Sequence, residues 1–135
     1  MSSRSKGNQY EREAVRILEN DGWAVIRAVP QYVKTKFGYI VKKYDIWGYF
    51  DIVAEKGKER RYIQVTVKEL VKRKIKQIEN GLKTDKIIMG LQGGPIEIWG
   101  RVRTRVRGIR PHFLVFSNID SFKLTKTYEI PKMLL

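Results

Sequence analysis

The chain has 135 residues, which fits a single domain with one core, and 42% of them are apolar, enough to fold without disulfides or metal. It contains no cysteine, which excludes a disulfide framework and a zinc site of the usual thiolate kind. No apolar run approaches the length of a membrane span, and the first residues lack the apolar stretch of a secretory signal. We therefore expect one soluble, cytoplasmic domain over residues 1–135 that does not enter a membrane.

Charge is the most informative bulk property of the chain. Lys plus Arg number 28 and Asp plus Glu number 14, which gives a formal net charge of +14. A compact domain with this imbalance repels itself, and phosphate polymers turn that cost into affinity through counterion release. A ribosome-associated protein and a binder of anionic membranes are the alternatives, and the membrane is less favoured because no strongly amphipathic basic helix is evident. The charge predicts a nucleic-acid partner, with DNA expected.

The first predicted elements are a helix and a strand. Apolar residues recur at helical spacing over residues 6–21, with Glu13 on the side expected to face solvent. Gly22 is well placed to end this helix. Residues 23–29 then show the apolar pattern of a strand, which the following proline stops.

Residues 31–44 mix basic and aromatic side chains. The segment is too basic for a buried strand and too aromatic for a plain linker. Its lysines can bind a nucleic-acid backbone while its aromatic rings stack on unpaired bases. Alternatively, the rings are core or dimer contacts. The candidate phosphate-binding residues here are Lys34, Lys36, Lys42 and Lys43.

The rest of the chain alternates between strand and helix patterns. A charged turn containing Gly57 joins two strands into a hairpin, and the last hairpin turns near Gly108. The predicted strands cover residues 46–54, 61–68, 86–91, 96–107 and 112–116, the second helix covers 69–82, and the tail from residue 123 is expected to add one short strand. The chain is therefore predicted to be an α/β domain of the α+β kind, with a mixed sheet flanked by two helices.

Polar residues interrupt this apolar pattern at points that we expect to lie close together. Asp51 lies in an apolar run, where a carboxylate needs a partner such as a cation. On the next strand Gln64, Thr66 and Lys68 project from one face, because side chains alternate along a strand. Glu11 lies beside the apolar stripe of the first helix and can point inward at the sheet.

Both acids also have structural interpretations. Asp51 can cap the strand, or pair with Arg61 or a lysine across the hairpin. Glu11 can be a surface residue of the helix that pairs with Arg12 or Arg16. The residues alone leave these alternatives open.

The stretch of residues 6–27 resembles the opening of archaeal Holliday-junction resolvases, which belong to the PD-(D/E)XK nuclease superfamily. Four short motifs further along are similar to those of small viral and phage proteins of the same superfamily, and the resemblance spans residues 6–116. Each motif is weak alone, but their order and spacing together are fairly specific. The motifs are Asp45-Ile-Trp-Gly48, Asp51-Ile-Val-Ala54, Gln64-Val-Thr66 and Ile96-Glu-Ile-Trp-Gly100. The resemblance implies a restriction-endonuclease-like core with the order α-β-β-β-α-β-β-β.

The resemblance also implies metal-assisted phosphodiester hydrolysis. Superfamily members share a glutamate on the first helix, an aspartate at a strand bend and an acidic-x-Lys triplet on the next strand, and Glu11 and Asp51 match the first two. Mg²⁺ or Mn²⁺ held by such residues binds the scissile phosphate and lowers the pKa of the attacking water. The implied metal ligands are Asp51 at the centre, the amide oxygen of Gln64 and the carbonyl of Val65. Glu11 either binds the ion directly or supports one of its ligands.

Gln64-Val65-Thr66 occupies the place of the triplet but departs from the superfamily pattern, since Thr66 stands where the superfamily usually has lysine. That lysine orients the water and stabilises the charge that develops on the phosphate. Lys68 is the natural substitute, because it is expected on the same strand face one repeat further on, and Lys72 and Lys43 are the other candidates. The implied catalytic set is Glu11, Asp51, Gln64, Thr66 and Lys68.

A row of arginines near residue 104 is a second candidate contact with nucleic acid. Alternation along a strand puts four guanidinium groups on one face, about 7 Å apart, which roughly matches the spacing of phosphates along one strand of a duplex. The alternative is a solvated strand edge that resists aggregation. The row consists of Arg101, Arg103, Arg105 and Arg107.

The leading hypothesis is a metal-dependent endonuclease that acts on DNA, including branched or junction DNA. The second is a catalytically inactive protein of the same fold that binds nucleic acid, and the third is a basic structural protein associated with nucleic acid. A homodimer is expected by analogy with resolvases, which cut two strands symmetrically.

Overall fold

The computed structural model describes residues 3–28, 30–43, 49–84, 96–103, 108–118 and 122–131. The helices are α1 (Ser3–Asn20) and α2 (Val71–Thr84), and a short 3₁₀ helix (Lys68–Leu70) precedes α2. The strands are β1 (Ala24–Arg27), β2 (Pro30–Thr35), β3 (Gly38–Lys43), β4 (Ile52–Lys56), β5 (Glu59–Val67), β6 (Ile96–Val102), β7 (His112–Ser117) and β8 (Lys123–Glu129).

Six strands form one mixed sheet in the order β1-β4-β5-β6-β7-β8. Strands β5 and β6 are parallel, and every other neighbouring pair in this sheet is antiparallel. A parallel pair needs a crossover, and here the connection contains α2. The predicted α+β class is confirmed, and so is the order of helix, three strands, helix and three strands for the main sheet. The strand predicted at residues 86–91 lies outside the described residues.

The two helices cover opposite faces of the sheet. Side chains of α1 such as Leu18 pack with Ile63 and Trp99, whereas Ile78 of α2 packs with Ile98. Because successive side chains of a strand point to opposite faces, the alternation of Ile98 and Trp99 between the two clusters separates the helices onto two sides. The apolar runs that predicted the strands thus reflect burial on both faces of the sheet.

The glycines predicted to end the first helix and to turn the first hairpin have these roles. The N–H groups of Gly22 and Trp23 donate to the carbonyls of Glu19 and Leu18, both at 3.0 Å, and Gly22 has φ +88°. This arrangement is the Schellman helix end. Gly57, with φ +62°, lies in the tight turn between β4 and β5.

The basic and aromatic segment after β1 folds as a hairpin that the sequence analysis missed. Strands β2 and β3 pair with each other in a separate two-stranded sheet. As predicted, the segment is not a strand of the buried sheet. Its two strands were not predicted because their residues do not alternate between apolar and polar.

Gly100 is required by a close approach between β6 and the chain that enters α2. A Cβ atom at this position would lie 2.6 Å from Cγ2 of Val71 and 3.3 Å from Cα of Lys68. Val71 is buried and β-branched, so its methyl group has little freedom to move away. The glycine of the Ile96–Gly100 motif therefore lets the 3₁₀ helix lie against the sheet.

We predict that Gly100→Ala lowers the free energy of unfolding by about 1–3 kcal/mol, since overpacking a buried contact costs that much. Urea denaturation followed by circular dichroism measures the change. Gly7→Ala is the matched control, because a Cβ there meets open space and α1 should tolerate or favour alanine. Equal stability of Gly100→Ala and the wild type would contradict the account of this contact.

Candidate active site at the end of strand β5

Asp51 is held by backbone hydrogen bonds to the strands on both sides of it. Its N–H donates to the carbonyl of Ile63 at 2.9 Å, and its own carbonyl accepts the N–H of Ala28 at 2.9 Å. Its Oδ2 accepts the backbone N–H of Val65 at 2.8 Å, and the residue is 9% exposed. The carboxylate is therefore fixed at the point where β4 begins, beside the last residues of β5.

The carbonyl of Val65 lies on the same edge of β5 as Asp51. In an antiparallel ladder the N–H and C=O of one residue point to the same neighbouring strand. The N–H of Val65 points to Asp51, so its carbonyl does too. Within the described residues, β4 pairs with β5 no further than Ile63, which leaves this edge uncovered by β4.

An open pocket of about 590 Å³ adjoins this edge. It brings together Glu11, Val65 and Thr66 of the predicted catalytic and metal-binding set with Arg103 of the predicted phosphate-binding set. Its lining residues are Gly7, Tyr10 and Glu11 of α1, Val65, Thr66 and Val67 of β5, Leu70 of the 3₁₀ helix and Arg103. Residues that are distant in the sequence thus meet at one end of the sheet.

Glu11 is 5% exposed, and its Oε1 lies 3.6 Å from Nη2 of Arg27. The sequence indicated that this side chain can point inward, but Arg27 was not among its predicted partners. The available signal was the alternation of β1, in which Val25 and Arg27 are the half-buried positions. An arginine at an inward-facing strand position indicates a buried acid nearby.

The polar row on β5 is shorter than predicted. Gln64 and Thr66 are buried and alternate with Ile63 and Val65, which pack on the α1 side, so the two polar side chains face the α2 side. Glu11 comes from the other face. The site therefore lies at the edge of β5 rather than on one face of the sheet.

Lys68 does not extend this row. The prediction that it lies on the same strand face is wrong, because β5 ends at Val67 and Lys68 begins the 3₁₀ helix. Lys68 and Lys72 are exposed. The side chain of Lys43, the third candidate, lies outside the described residues, as does that of Lys42.

The prediction that four arginines share one strand face is also wrong for Arg101 and Arg103, the two that the structure describes. Arg101 is 5% exposed and donates two hydrogen bonds to Glu13, at 2.8 and 3.1 Å, and one to the carbonyl of Val102 at 2.7 Å. Glu13, expected to face solvent, is 2% exposed. Strand β6 ends at Val102, so Arg103 is the exposed member of the row. Arg105 and Arg107 lie outside the described residues.

The acid of the Ile96–Gly100 motif has a structural partner. Glu97 accepts two hydrogen bonds from Arg61, at 2.5 and 2.6 Å, and one from the indole N–H of Trp99 at 3.0 Å. The guanidinium of Arg61 also lies 4.9 Å from the ring centre of Trp23. Burial alone lowers the pKa of Arg61, but hydrogen bonds and charge from Glu97, with a contribution from Tyr128, outweigh it and raise the pKa. Arg61 is thus paired with Glu97.

A metal site at the edge of β5 would combine few carboxylates. Within the described ranges, no three Asp, Glu or His side chains lie close enough together to hold an ion. Asp45, the acid of the first motif, lies outside the described residues. Oxygen donors at the edge are the Asp51 carboxylate and the Val65 carbonyl, with Glu11 in the adjoining pocket.

A comparison with protein families matches residues 2–83 to the model described as archaeal Holliday junction resolvase (Hjc). The chain belongs to this family of resolvases. The matched residues include Glu11, Asp51, Gln64 and Thr66, so the acid of the pocket, the acid at the neighbouring strand edge and the variant triplet lie inside the family region.

Other comparisons add little to the family match. A solved structure of Hjc from Archaeoglobus fulgidus, described as a Holliday junction resolvase from an archaeal hyperthermophile, is similar at 17% identity and a TM-score of 0.46. It covers 96% of this chain and 86% of its own. A superposition at this TM-score does not locate the site residues. No curated protein matches the chain. Among the described residues, no helix is long and apolar enough to cross a membrane.

Proposed function

We propose that this protein is a divalent-metal-dependent endonuclease that hydrolyses phosphodiester bonds in branched DNA. The observation that supports this function is the pocket lined by Glu11, Val65, Thr66 and Arg103, with the Asp51 carboxylate hydrogen-bonded to Val65 at its edge. Acids beside a cation in one open pocket suit a phosphodiester substrate. The family to which the chain belongs supports a junction as the substrate.

The donor set at this edge fits a hard cation such as Mg²⁺ or Mn²⁺. Hard cations prefer carboxylate and carbonyl oxygens, and Asp51 and Val65 offer these on one uncovered strand edge. Glu11 and the amide oxygen of Gln64 are further oxygen donors of the same proposed site. When bound, the ion supplies Lewis-acid activation of the phosphate and of a water molecule. The protein's own contribution is to hold the oxygens in place through the hydrogen bonds that join Asp51 to Ile63 and Val65 of β5 and to Ala28, which follows β1.

Arg103 is the cation that we propose in place of the lysine absent at Thr66. It lines the pocket, and it is exposed enough to contact a phosphate. Its planar guanidinium can donate two hydrogen bonds to a phosphate and stabilise charge that develops there. Its proposed role is to bind the phosphate and stabilise charge.

DNA binding beyond the pocket rests on exposed basic residues. Lys68 and Lys72 follow β5 directly in the chain, and Lys34 and Lys36 project from the β2–β3 hairpin. Lys42 and Lys43 belong to the same hairpin. Such contacts position a phosphate backbone without reading its sequence. A homodimer would present two such sites to the two strands of a junction, and it forms part of this proposal.

Two observations favour the alternative that the protein binds junctions without cutting them. The triplet has Gln64 and Thr66 where the superfamily has an acid and a lysine. Glu11 lines the pocket but also lies close to Arg27. A weaker metal site would leave binding intact and slow the reaction. A basic structural protein, the third hypothesis, would show no preference for branched DNA.

We predict that the wild type cleaves a labelled four-way junction in the presence of Mg²⁺ or Mn²⁺, and that Asp51→Asn slows cleavage on the order of 10²-fold. Asparagine keeps an acceptor for the Val65 N–H but removes the charge that holds the ion. Gel electrophoresis of the products measures the rate, and Glu55→Gln, which neutralises an exposed acid of β4, is the matched control.

Junction binding without cleavage by the wild type would replace the endonuclease with the binding-only alternative. Equal affinity for a junction and a linear duplex, again without cleavage, would favour the structural protein.

We further predict that Arg103→Ala slows cleavage about 10²-fold at saturating DNA, because a charge-stabilising donor is lost. Lys58→Ala also removes one positive charge, but from the β4–β5 turn at the other end of β5, and it should leave the rate near that of the wild type. Single-turnover kinetics separates the two. Similar rates for both variants would show that Arg103 contributes only to net charge.

A further inference from the structure

The tip of the β2–β3 hairpin presents a fully exposed aromatic ring. Residues 36 and 37 form its two-residue turn, and Phe37 is 99% exposed. The hydroxyl of Thr35 accepts the N–H of Phe37 at 3.2 Å and donates to the carbonyl of Gly38 at 2.8 Å. Gly38 has φ +114°, a conformation that suits glycine. The backbone that carries the ring is therefore fixed, although the ring itself contacts solvent.

A phenylalanine at this position is not explained by the hairpin itself. Tight turns favour Gly, Asn, Asp and Ser, whose small or polar side chains suit exposed φ > 0 positions. Among the described residues, nothing lies within 4 Å of a Cβ placed on Gly38, so the tip is open on that side as well. The ring has no packing role in this separate two-stranded sheet and is available to a partner.

The charges around the tip indicate the class of that partner. Lys36 shares the turn with Phe37, Lys34 precedes the turn on β2, and both lysines are exposed; the chain as a whole carries a net charge of +14. An aromatic ring beside cations suits nucleic acid, where the ring stacks on a base and the ammonium groups contact nearby phosphates. Apolar side chains also insert at base steps that are already unstacked or easily opened. A branch point supplies such steps.

The hairpin is attached directly beside the candidate active site. It is inserted between Ala28 and Tyr49, and the N–H of Ala28 donates to the carbonyl of Asp51. Strands of six residues reach about 20 Å, which corresponds to roughly six base steps at 3.4 Å each. A ring at the tip can therefore contact a branch point while a phosphate several steps away lies at Asp51.

We propose that Phe37 stacks on a base exposed at the branch point of a DNA junction and so gives the protein its preference for branched over linear DNA. This inference rests on the DNA-binding part of the proposed function, and it does not depend on cleavage.

The test uses a four-way junction with 2-aminopurine at the branch point and the full-length protein without added metal. Binding of the wild type should change the fluorescence of that base, and Phe37→Ala should abolish the change at saturating protein. The same substitution should weaken junction binding about 10-fold and leave linear-duplex binding unchanged, since only the stacking contact is lost. Phe37→Trp should retain both signals.

Leu124→Ala is the matched control, because Leu124 is another exposed apolar residue, on edge strand β8, and its loss should change neither signal. An unchanged fluorescence response in Phe37→Ala would overturn the inference. So would a change of sedimentation coefficient with junction affinity intact, which would make Phe37 a contact between copies. A wild type that stacks on the junction but does not cut it would uphold Phe37 and reject the nuclease.

Discussion

Buried carboxylates are the costliest side chains to accommodate in this fold. Four carboxylates are buried in the described part of a strongly basic chain, and each needs a cation or hydrogen-bond donors to offset its lost hydration. Glu13 and Glu97 are each held by two hydrogen bonds from a buried arginine. Glu11 and Asp51 instead lie at the pocket end of β5. The two arginine pairs are satisfied inside the fold, whereas Glu11 lines the open pocket and Asp51 lies at the neighbouring strand edge.

This difference separates two motifs that look alike in the sequence, each with one acid among apolar residues. Glu97 lies within β6, where Arg61 and Trp99 occupy both of its oxygens. Asp51 lies where β4 begins, and the neighbouring edge of β5 is open beyond Ile63 within the described residues. The end of a strand, rather than the acid itself, therefore makes one motif suitable for chemistry and the other for packing.

The helix α1, the β4–β5 hairpin and β8 were all predicted. Their apolar residues follow helix or strand patterns, and glycines mark the helix end and the turn. Arg101 and Glu13 were misplaced because a buried ion pair and a solvated surface produce the same charged pattern along the chain. Arg27 was missed although the alternation of β1 places it on the same side of the strand as the half-buried Val25. Lys68 was misplaced because a strand's last residue depends on the approach of α2 at Gly100, a tertiary contact.

The central claim is that Glu11, Asp51 and Val65 form one divalent-cation site, and paramagnetic broadening in NMR tests it most directly. Mn²⁺ added at a small fraction of the protein concentration, without DNA, should broaden the backbone amide signals of these three residues first, and excess Mg²⁺ should restore them. Signals of Glu55 and Glu129, which are more exposed acids elsewhere on the sheet, should persist. Broadening that begins at those exposed acids, or that spreads evenly over the chain, would contradict the claim.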